Sequence, residues 1–227
     1  MIYALADLHL DSTEKKSMTV FGNDWENYQK RIFENWKKIV KDKDIVLIPG
    51  DISWAMKVDE AKIDLKKIDD LPGKKIMMKG NHDYRWQSLK KLEDLKLNSI
   101  KFLQNNSFIV ENYLICGTRG WVNEENNEFD EHDLKIYDRE INRLKNSLNY
   151  INSDLEKIVM FHYPPFSYHE GKFNDFFELL KGKNVKYVIY GHLHGNGHKF
   201  VKEGDFFGIK LYCVSSDYLK FIPKKLK

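Results

Sequence analysis

Five short apolar runs in this chain each stop at a metal-ligand residue type, always at the carboxyl end of the run. "IYALA" (2–6) ends in Asp7-Leu8-His9, "DIVLIP" (44–49) in Gly50-Asp51, and "KIMMK" (75–79) in Gly80-Asn81-His82-Asp83. "KIVMF" (157–161) ends in His162, and "KYVIY" (186–190) in Gly191-His192-Leu193-His194. Runs of this length, rich in Ile, Val and Tyr and bounded by Gly, Pro or polar residues, read as strands. In open α/β sheets the crevice beyond the carboxyl ends of strands is where ligands bind. The chain is therefore expected to fold so that several strand ends meet at one place.

Three further runs read as strands: "SFIVE" (107–111), "YLICG" (113–117) and "IKLYCVS" (209–215). Glu111-Asn112 between the first two reads as a hairpin turn. Helical patterns lie between the strands. Trp25, Tyr28, Ile32, Trp36, Ile39 and Val40 recur at three- and four-residue steps over 25–40, and Tyr137, Ile141, Leu144, Leu148, Ile151 and Leu155 over 137–155. Segments 58–70, 85–95 and 173–181 read as shorter helices. The acidic stretch 123–133 reads as an exposed loop, a rim or a lid, and the terminal "PKKLK" as a solvated tail. Strand–helix alternation with one hairpin implies a mixed-sheet domain of α and β elements, expected as a single domain over residues 1–227.

The totals narrow the class. Aromatics make up 14% of the chain, enough for a real core, and the net charge of +3 is small for 227 residues. This balance argues against a nucleic-acid partner. No apolar run approaches the roughly 20 residues that span a bilayer. Ala4-Leu5-Ala6 mimics a signal-peptide cleavage site, but no basic region precedes it and the apolar run is short, so it reads as a first strand and the protein as cytoplasmic. Cys116 and Cys213 sit alone in apolar runs and read as reduced core thiols.

The five endings form a coherent donor set. They hold five of the eight histidines, while His132, His169 and His198 lie in polar stretches and read as surface residues. The i,i+2 spacing of Asp7/His9 and of His192/His194 puts both side chains on one side of an extended segment. Glycine before Asp51, Asn81 and His192 permits sharp turns. Carboxylates, imidazoles and one amide oxygen suit Mn, Fe, Zn, Co or Ni better than Mg or Ca. Asp7, His9, Asp51, Asn81, His162, His192 and His194 are too many for one tetrahedral ion and suit two ions sharing a carboxylate.

The order D-x-H, G-D, G-N-H-D, H, G-H-x-H, running from Asp7 to His194, resembles the calcineurin-like metallophosphoesterase superfamily. The resemblance implies an α+β fold, a four-layer α/β/β/α sandwich of two mixed β-sheets flanked by helices, with a dinuclear metal site at the strand carboxyl ends. It implies one ion held by Asp7, His9, Asp51 and His194, and a second held by Asp51, Asn81, His162 and His192, with Asp51 bridging. The cofactor would be two divalent transition-metal ions, Mn first among them. His82 would be the catalytic non-ligand histidine beside the leaving-group oxygen. The implied reaction is hydrolysis of a phosphomonoester or phosphodiester of a small phosphorylated substrate by a metal-bridged hydroxide. Arg85 and Arg119 are candidates to hold the phosphate, since a guanidinium binds its oxygens bidentately.

The second block departs from one branch of the superfamily. Ser/Thr protein phosphatases carry G-D-x-V-D-R-G, whereas this chain reads "GDISWAM". "LADLHLD" is similar to the first block of bacterial members, including lipid-A-pathway diphosphohydrolases and cyclic-nucleotide phosphodiesterases. A nuclease of the same superfamily and a non-catalytic metal-bound scaffold remain alternatives. The substrate, the ester type, the metal, the oligomeric state and the group that orients His82 stay open at this point.

Overall fold

Most core strands of this protein are apolar on both faces, so they need cover on both sides. The computed structural model describes residues 1–13, 16–84, 86–122, 129–168 and 170–227. It supplies that cover with two sheets packed face to face and helices outside each. The first sheet contains β1 (Ile2–Ala4), β2 (Ile45–Ile48), β3 (Lys74–Met77), β4 (Ile100–Phe102) and β11 (Lys224–Lys225), in the order β11-β1-β2-β3-β4. The second contains β5 (Phe108–Val110), β6 (Tyr113–Thr118), β7 (Glu156–Phe161), β8 (Val185–Tyr190), β9 (Gly204–Phe206) and β10 (Ile209–Cys213), in the order β5-β6-β7-β8-β10-β9. In each sheet the central pairs are parallel and at least one edge pair is antiparallel. Among the described residues the α-helices are α1 (Tyr28–Ile39), α2 (Val58–Asp69), α3 (Leu89–Glu93), α4 (Glu131–Asn149) and α5 (Asp175–Glu178).

The period-2 alternation of the strands separates three layers of core. Ile2, Ala4, Leu47, Ile76, Ile115, Ile158, Met160 and Ile189 point between the sheets. Their neighbours Tyr3, Val46, Ile48 and Met77 face Ile32 and Trp36 of α1 and Leu65 and Ile68 of α2. On the far side Leu114, Val159, Phe161 and Tyr190 face Leu144 and Leu148 of α4 and Phe176 and Phe177 of α5. The result is the α/β/β/α sandwich of two mixed sheets. Both cysteines are free and buried in the outer layer of the second sheet. Among the described residues no helix is long and apolar enough to cross a membrane.

Three readings of the sequence need correction. The long helix starts six residues before the expected 137, because Asp130 caps it. Its carboxylate accepts from the His132 and Asp133 amides, and Asp133 reaches back to the Asp130 amide. It also ends at Asn149, and Ile151 and Leu155 pack onto the second sheet from the connection to β7. The terminal lysines are not a solvated tail. Lys224 and Lys225 pair antiparallel with Ala4 and Tyr3, close an otherwise open edge, and let Leu226 pack against the layer between the sheets. Of the expected acidic loop, residues 131–133 form the first turn of α4, and 123–128 lie outside the described residues.

Candidate metal centre

The fold delivers all five polar endings to one crevice, and their backbones are bent to do it. Asp7, His9, Asp51 and His192 all adopt positive φ (59°, 43°, 52° and 74°), a region that disfavours side-chain-bearing residues. Hydrogen bonds hold these turns. The Asp7 amide donates to the Gly50 carbonyl at 3.0 Å and the His9 amide to the Asp51 carbonyl at 2.9 Å. The His192 amide donates to Asp7 Oδ2 at 3.0 Å and the His82 amide to Asp51 Oδ1 at 2.8 Å. Glycine is required where the chains approach most closely. A Cβ on Gly80 would lie 2.1 Å from Asp51 Oδ1, and one on Gly191 would lie 2.6 Å from Asp7 Oδ2.

Asp83, the last residue of "GNHD", is fully buried and links two of the loops. Its Oδ1 accepts from the Ile52 and Ser53 amides at 3.0 and 3.3 Å, and its Oδ2 from the Gly80 amide at 2.8 Å. It thereby fixes the turn after β2 against the turn after β3, and so Asp51 against Asn81.

The side chains converge with their acceptors facing one another. His162 Nδ1 lies 3.1 Å from the Pro49 carbonyl, which accepts its proton. His162 Nε2 is then a lone pair. It faces Asn81 Oδ1 at 2.6 Å and Asp51 Oδ2 at 3.4 Å. A second proton on the ring does not relieve this crowding, because burial pushes the His162 pKa down to about 4 despite the nearby Asp7. Asn81 Oδ1 also lies 3.1 Å from His192 Nδ1. The His162 Nε2 lone pair set against Asn81 Oδ1 is an arrangement that a bound cation satisfies.

The other half of the crevice repeats the pattern. His194 Nδ1 donates to Asp217 Oδ1 at 2.9 Å, which turns Nε2 toward His9 Nε2 at 3.3 Å and Asp7 Oδ1 at 3.7 Å. Asp7 Oδ1 and His9 Nδ1 are buried with no hydrogen-bond partner. Ligand-type atoms of Asp7, His9 and His194 lie within 4.8 Å of one another, as do those of Asp7, Asp51 and His162. Asp7 belongs to both of these triads, whereas the family resemblance makes Asp51 the shared ligand. Asp51 Oδ2 fits the shared role better, because it faces His9 Nε2 at 3.7 Å and His162 Nε2 at 3.4 Å, one imidazole from each half. Asp7 Oδ1 also faces an imidazole from each half, His194 Nε2 and His162 Nδ1 at 3.7 Å each, but that His162 nitrogen carries the proton given to the Pro49 carbonyl.

The electrostatics point the same way. Burial, then the neighbouring Asp83 and Asp7, raise the Asp51 carboxyl well above its ordinary range. Burial, then the other histidines, push His9 and His192 well below theirs. His194 is the exception. Burial disfavours its charge, but Asp7 and Asp217 outweigh burial and raise it to about 10. A proton on His194 therefore occupies the direction in which a cation would be bound.

His82 is not part of either acceptor cluster. Its ring lies 4.4 Å from the Trp54 ring between centroids, and its Nδ1 is 3.1 Å from the Tyr84 hydroxyl. Tyr84 and Trp54 are thus the groups that orient it, and Asp83 is not. Burial lowers the His82 pKa, with Asp83 partly opposing. Arg119 lies beside the centre. Its carbonyl accepts from the His162 and Tyr163 amides, and its guanidinium packs 4.3 Å from the Trp121 ring and 3.5 Å from Glu140. Arg85 and His169 lie outside the described residues. His132 is exposed as expected, but His198 is not a bystander, because its Nε2 pairs with Asp217 Oδ2 at 3.1 Å.

Asp217 is the residue that sequence reasoning missed. Burial alone would raise its pKa, but hydrogen bonds from His194 and His198 hold it well below the carboxylate range. The signal was present, since β10 also stops at a polar ending, "SSD" (215–217).

Comparison with known proteins agrees with the fold. A 30%-identical stretch of 104 residues is shared with an uncharacterized protein of Methanocaldococcus jannaschii, covering 45% of this chain and 56% of that one. The chain thus spans only about half the length of that relative. Two solved structures share the fold. A protein of unknown function from Aquifex aeolicus superposes with a TM-score of 0.54 at 16% identity, covering 99% of this chain and 94% of that one. Phosphopantetheinyl hydrolase from Mycobacterium tuberculosis superposes with a TM-score of 0.58 at 13% identity, covering 94% and 88%. The model of the calcineurin-like phosphoesterase family matches residues 1–196, which takes in all five strand endings. This chain belongs to the calcineurin-like phosphoesterase family.

Proposed function

We propose that this protein is a phosphoric ester hydrolase that uses two divalent transition-metal ions, Mn first among them, and acts on a small phosphorylated substrate. The observation that carries this reading is the meeting of the His162 Nε2 lone pair with Asn81 Oδ1 at 2.6 Å and Asp51 Oδ2 at 3.4 Å. Asp7, His9, Asp51 and His194 would hold one ion, and Asp51, Asn81, His162 and His192 the other. Bound there, two such ions supply Lewis-acid chemistry, lowering the pKa of a water and neutralising charge on the phosphoryl group.

The remaining work falls to the chain's own groups. The Pro49 carbonyl and Asp217 fix the orientations of His162 and His194, so that His162 presents an unprotonated Nε2 and His194 does so once its proton is displaced. His82, held by Trp54 and Tyr84, supplies the proton to the leaving oxygen. An anionic phosphoryl group beside it favours its charged form and offsets the downward pull of burial. Arg119, packed against Trp121 and Glu140 beside the centre, is a candidate to hold a phosphoryl group. We place the protein in the cytoplasm, on the ground that its two cysteines are free thiols, and read residues 1–227 as one domain.

The test is hydrolysis of p-nitrophenyl phosphate and bis-p-nitrophenyl phosphate by chelator-treated protein, with Mn, Fe, Zn, Ni, Co or Mg added back. Turnover restored by metal supports the reading, and the preferred ester separates monoesterase from diesterase. Two bound ions without turnover of either ester would favour a metal-bound scaffold.

A further inference from the structure

Beside the metal centre, at the same end of the sheets, a cavity of about 260 Å³ opens between the segments that follow β3, β4 and β6. Three cations line it, Lys79, Arg119 and Arg143, with a single carboxylate, Glu140. Glu140 is 1% exposed and already committed. It accepts from Arg143 Nη1 at 2.6 Å, from the Thr118 hydroxyl, and pairs with Arg119 at 3.5 Å. Three positive groups against one negative leave the pocket with two uncompensated charges. Lys79 forms no hydrogen bond and no ion pair among the described residues, and Arg119 Nε is buried without a partner. The Trp86 indole donates to Gln104 Oε1 at 2.7 Å, which turns the Gln104 amide nitrogen toward other acceptors. Three partly buried cations that share one carboxylate across a polar cavity are placed to receive an anion.

The cavity is coupled to the centre by short paths. Lys79 precedes Asn81 by two residues, so their Cα atoms are at most about 7 Å apart. The Arg119 carbonyl accepts from the His162 amide at 3.1 Å and from the Tyr163 amide at 2.9 Å, and the Tyr163 ring lies 4.3 Å from that of His192.

We propose that this cavity is a second anion subsite, so that the natural substrate carries two phosphoryl groups, one cleaved at the metal centre and the other held by Lys79, Arg119 and Arg143. The inference rests on the phosphoesterase reading and adds the substrate class.

The experiment compares α,ω-alkanediol bisphosphates of increasing carbon number with the matching monophosphates, using the full chain reloaded with metal. At one spacing the bisphosphate is expected to exceed the monophosphate in kcat/KM by about tenfold or more, as expected for charge-assisted hydrogen bonds to a second phosphate. Lys79→Gln and Arg143→Gln, each checked for fold by circular dichroism and for metal content, are expected to cut that ratio severalfold. Turnover of the monophosphates with no advantage for any bisphosphate, or an advantage that survives both substitutions, overturns the subsite and spares the phosphoesterase. A carboxylate in place of the second phosphate that gives the larger advantage overturns the phosphate assignment. No turnover of either series overturns the phosphoesterase reading and the subsite with it.

Discussion

Replacing Asp83 by Asn changes one oxygen of a fully buried carboxylate to an amide nitrogen, with almost no change of shape. The wild-type carboxylate accepts at least three backbone amides, from Ile52, Ser53 and Gly80. An asparagine has only one acceptor oxygen. Whichever way it turns, its NH₂ faces a backbone N–H. If the oxygen keeps Ile52 and Ser53, the 2.8 Å bond from Gly80 is lost and two donors confront each other. A hydrogen bond to a charged group contributes about 1.5–3 kcal/mol, and a buried unmatched donor costs about 1–3 kcal/mol. A loss of roughly 2–4 kcal/mol follows. In a chain of this length each kcal/mol shifts the melting temperature by roughly 2–4 °C, so the expected fall is roughly 4–16 °C. The assay is thermal unfolding followed by circular dichroism, on chelator-treated protein so that bound metal does not mask the change. Because the lost bond ties the Asp51 turn to the Asn81 turn, metal affinity should fall as well. An unchanged melting temperature with unchanged metal affinity would refute the assignment of Asp83 as the link between those loops.

Other outcomes follow from the same geometry. Asp51→Asn removes the charge that faces an imidazole from each half of the centre. Metal affinity and activity should fall together by at least ~10–100-fold, measured by chelator competition and ester hydrolysis. His82→Ala should lower turnover by about 10²–10⁴-fold while bound metal is retained, as counted by elemental analysis. Loss of metal in that variant would show that His82 is a ligand. Metal affinity should also depend on pH through His194. With its pKa raised to about 10, this ring carries a proton at neutral pH that metal must displace. Apparent affinity should therefore rise about tenfold per pH unit between about pH 6 and pH 8. His162, pushed to about 4, is already deprotonated there and adds no slope. A flat profile in a competition titration would contradict the assignment of His194 as a ligand.

The centre was legible in the sequence because its residues sit at strand ends, where local pattern and function coincide. Asp7, His9, Asp51, Asn81, His162, His192 and His194 meet where the five endings said they would. Tertiary relations between elements were not legible. Asp217 lies at the end of a sixth strand, but only the folded chain shows that it faces His194 and His198. Trp54 sits in "GDISWAM" with no periodic signal, and it is the ring against which His82 packs. The terminal "KK" reads as tail because its partner is β1, at the opposite end of the chain. The start of α4 was placed late because the apolar stripe begins inside the helix, whereas Asp130 caps it outside the stripe. Glu140 and Arg143, on the face of α4 that closes the cationic cavity, look in sequence like ordinary charges on a solvated helix.

The most direct test of the two-ion hydrolase is a titration of chelator-treated protein with Mn, counting bound ions per chain and p-nitrophenyl phosphate turnover on the same samples. Activity that appears with bound metal and saturates at two ions per chain is the expected result. Full activity without metal, or none with both ions bound, would contradict it.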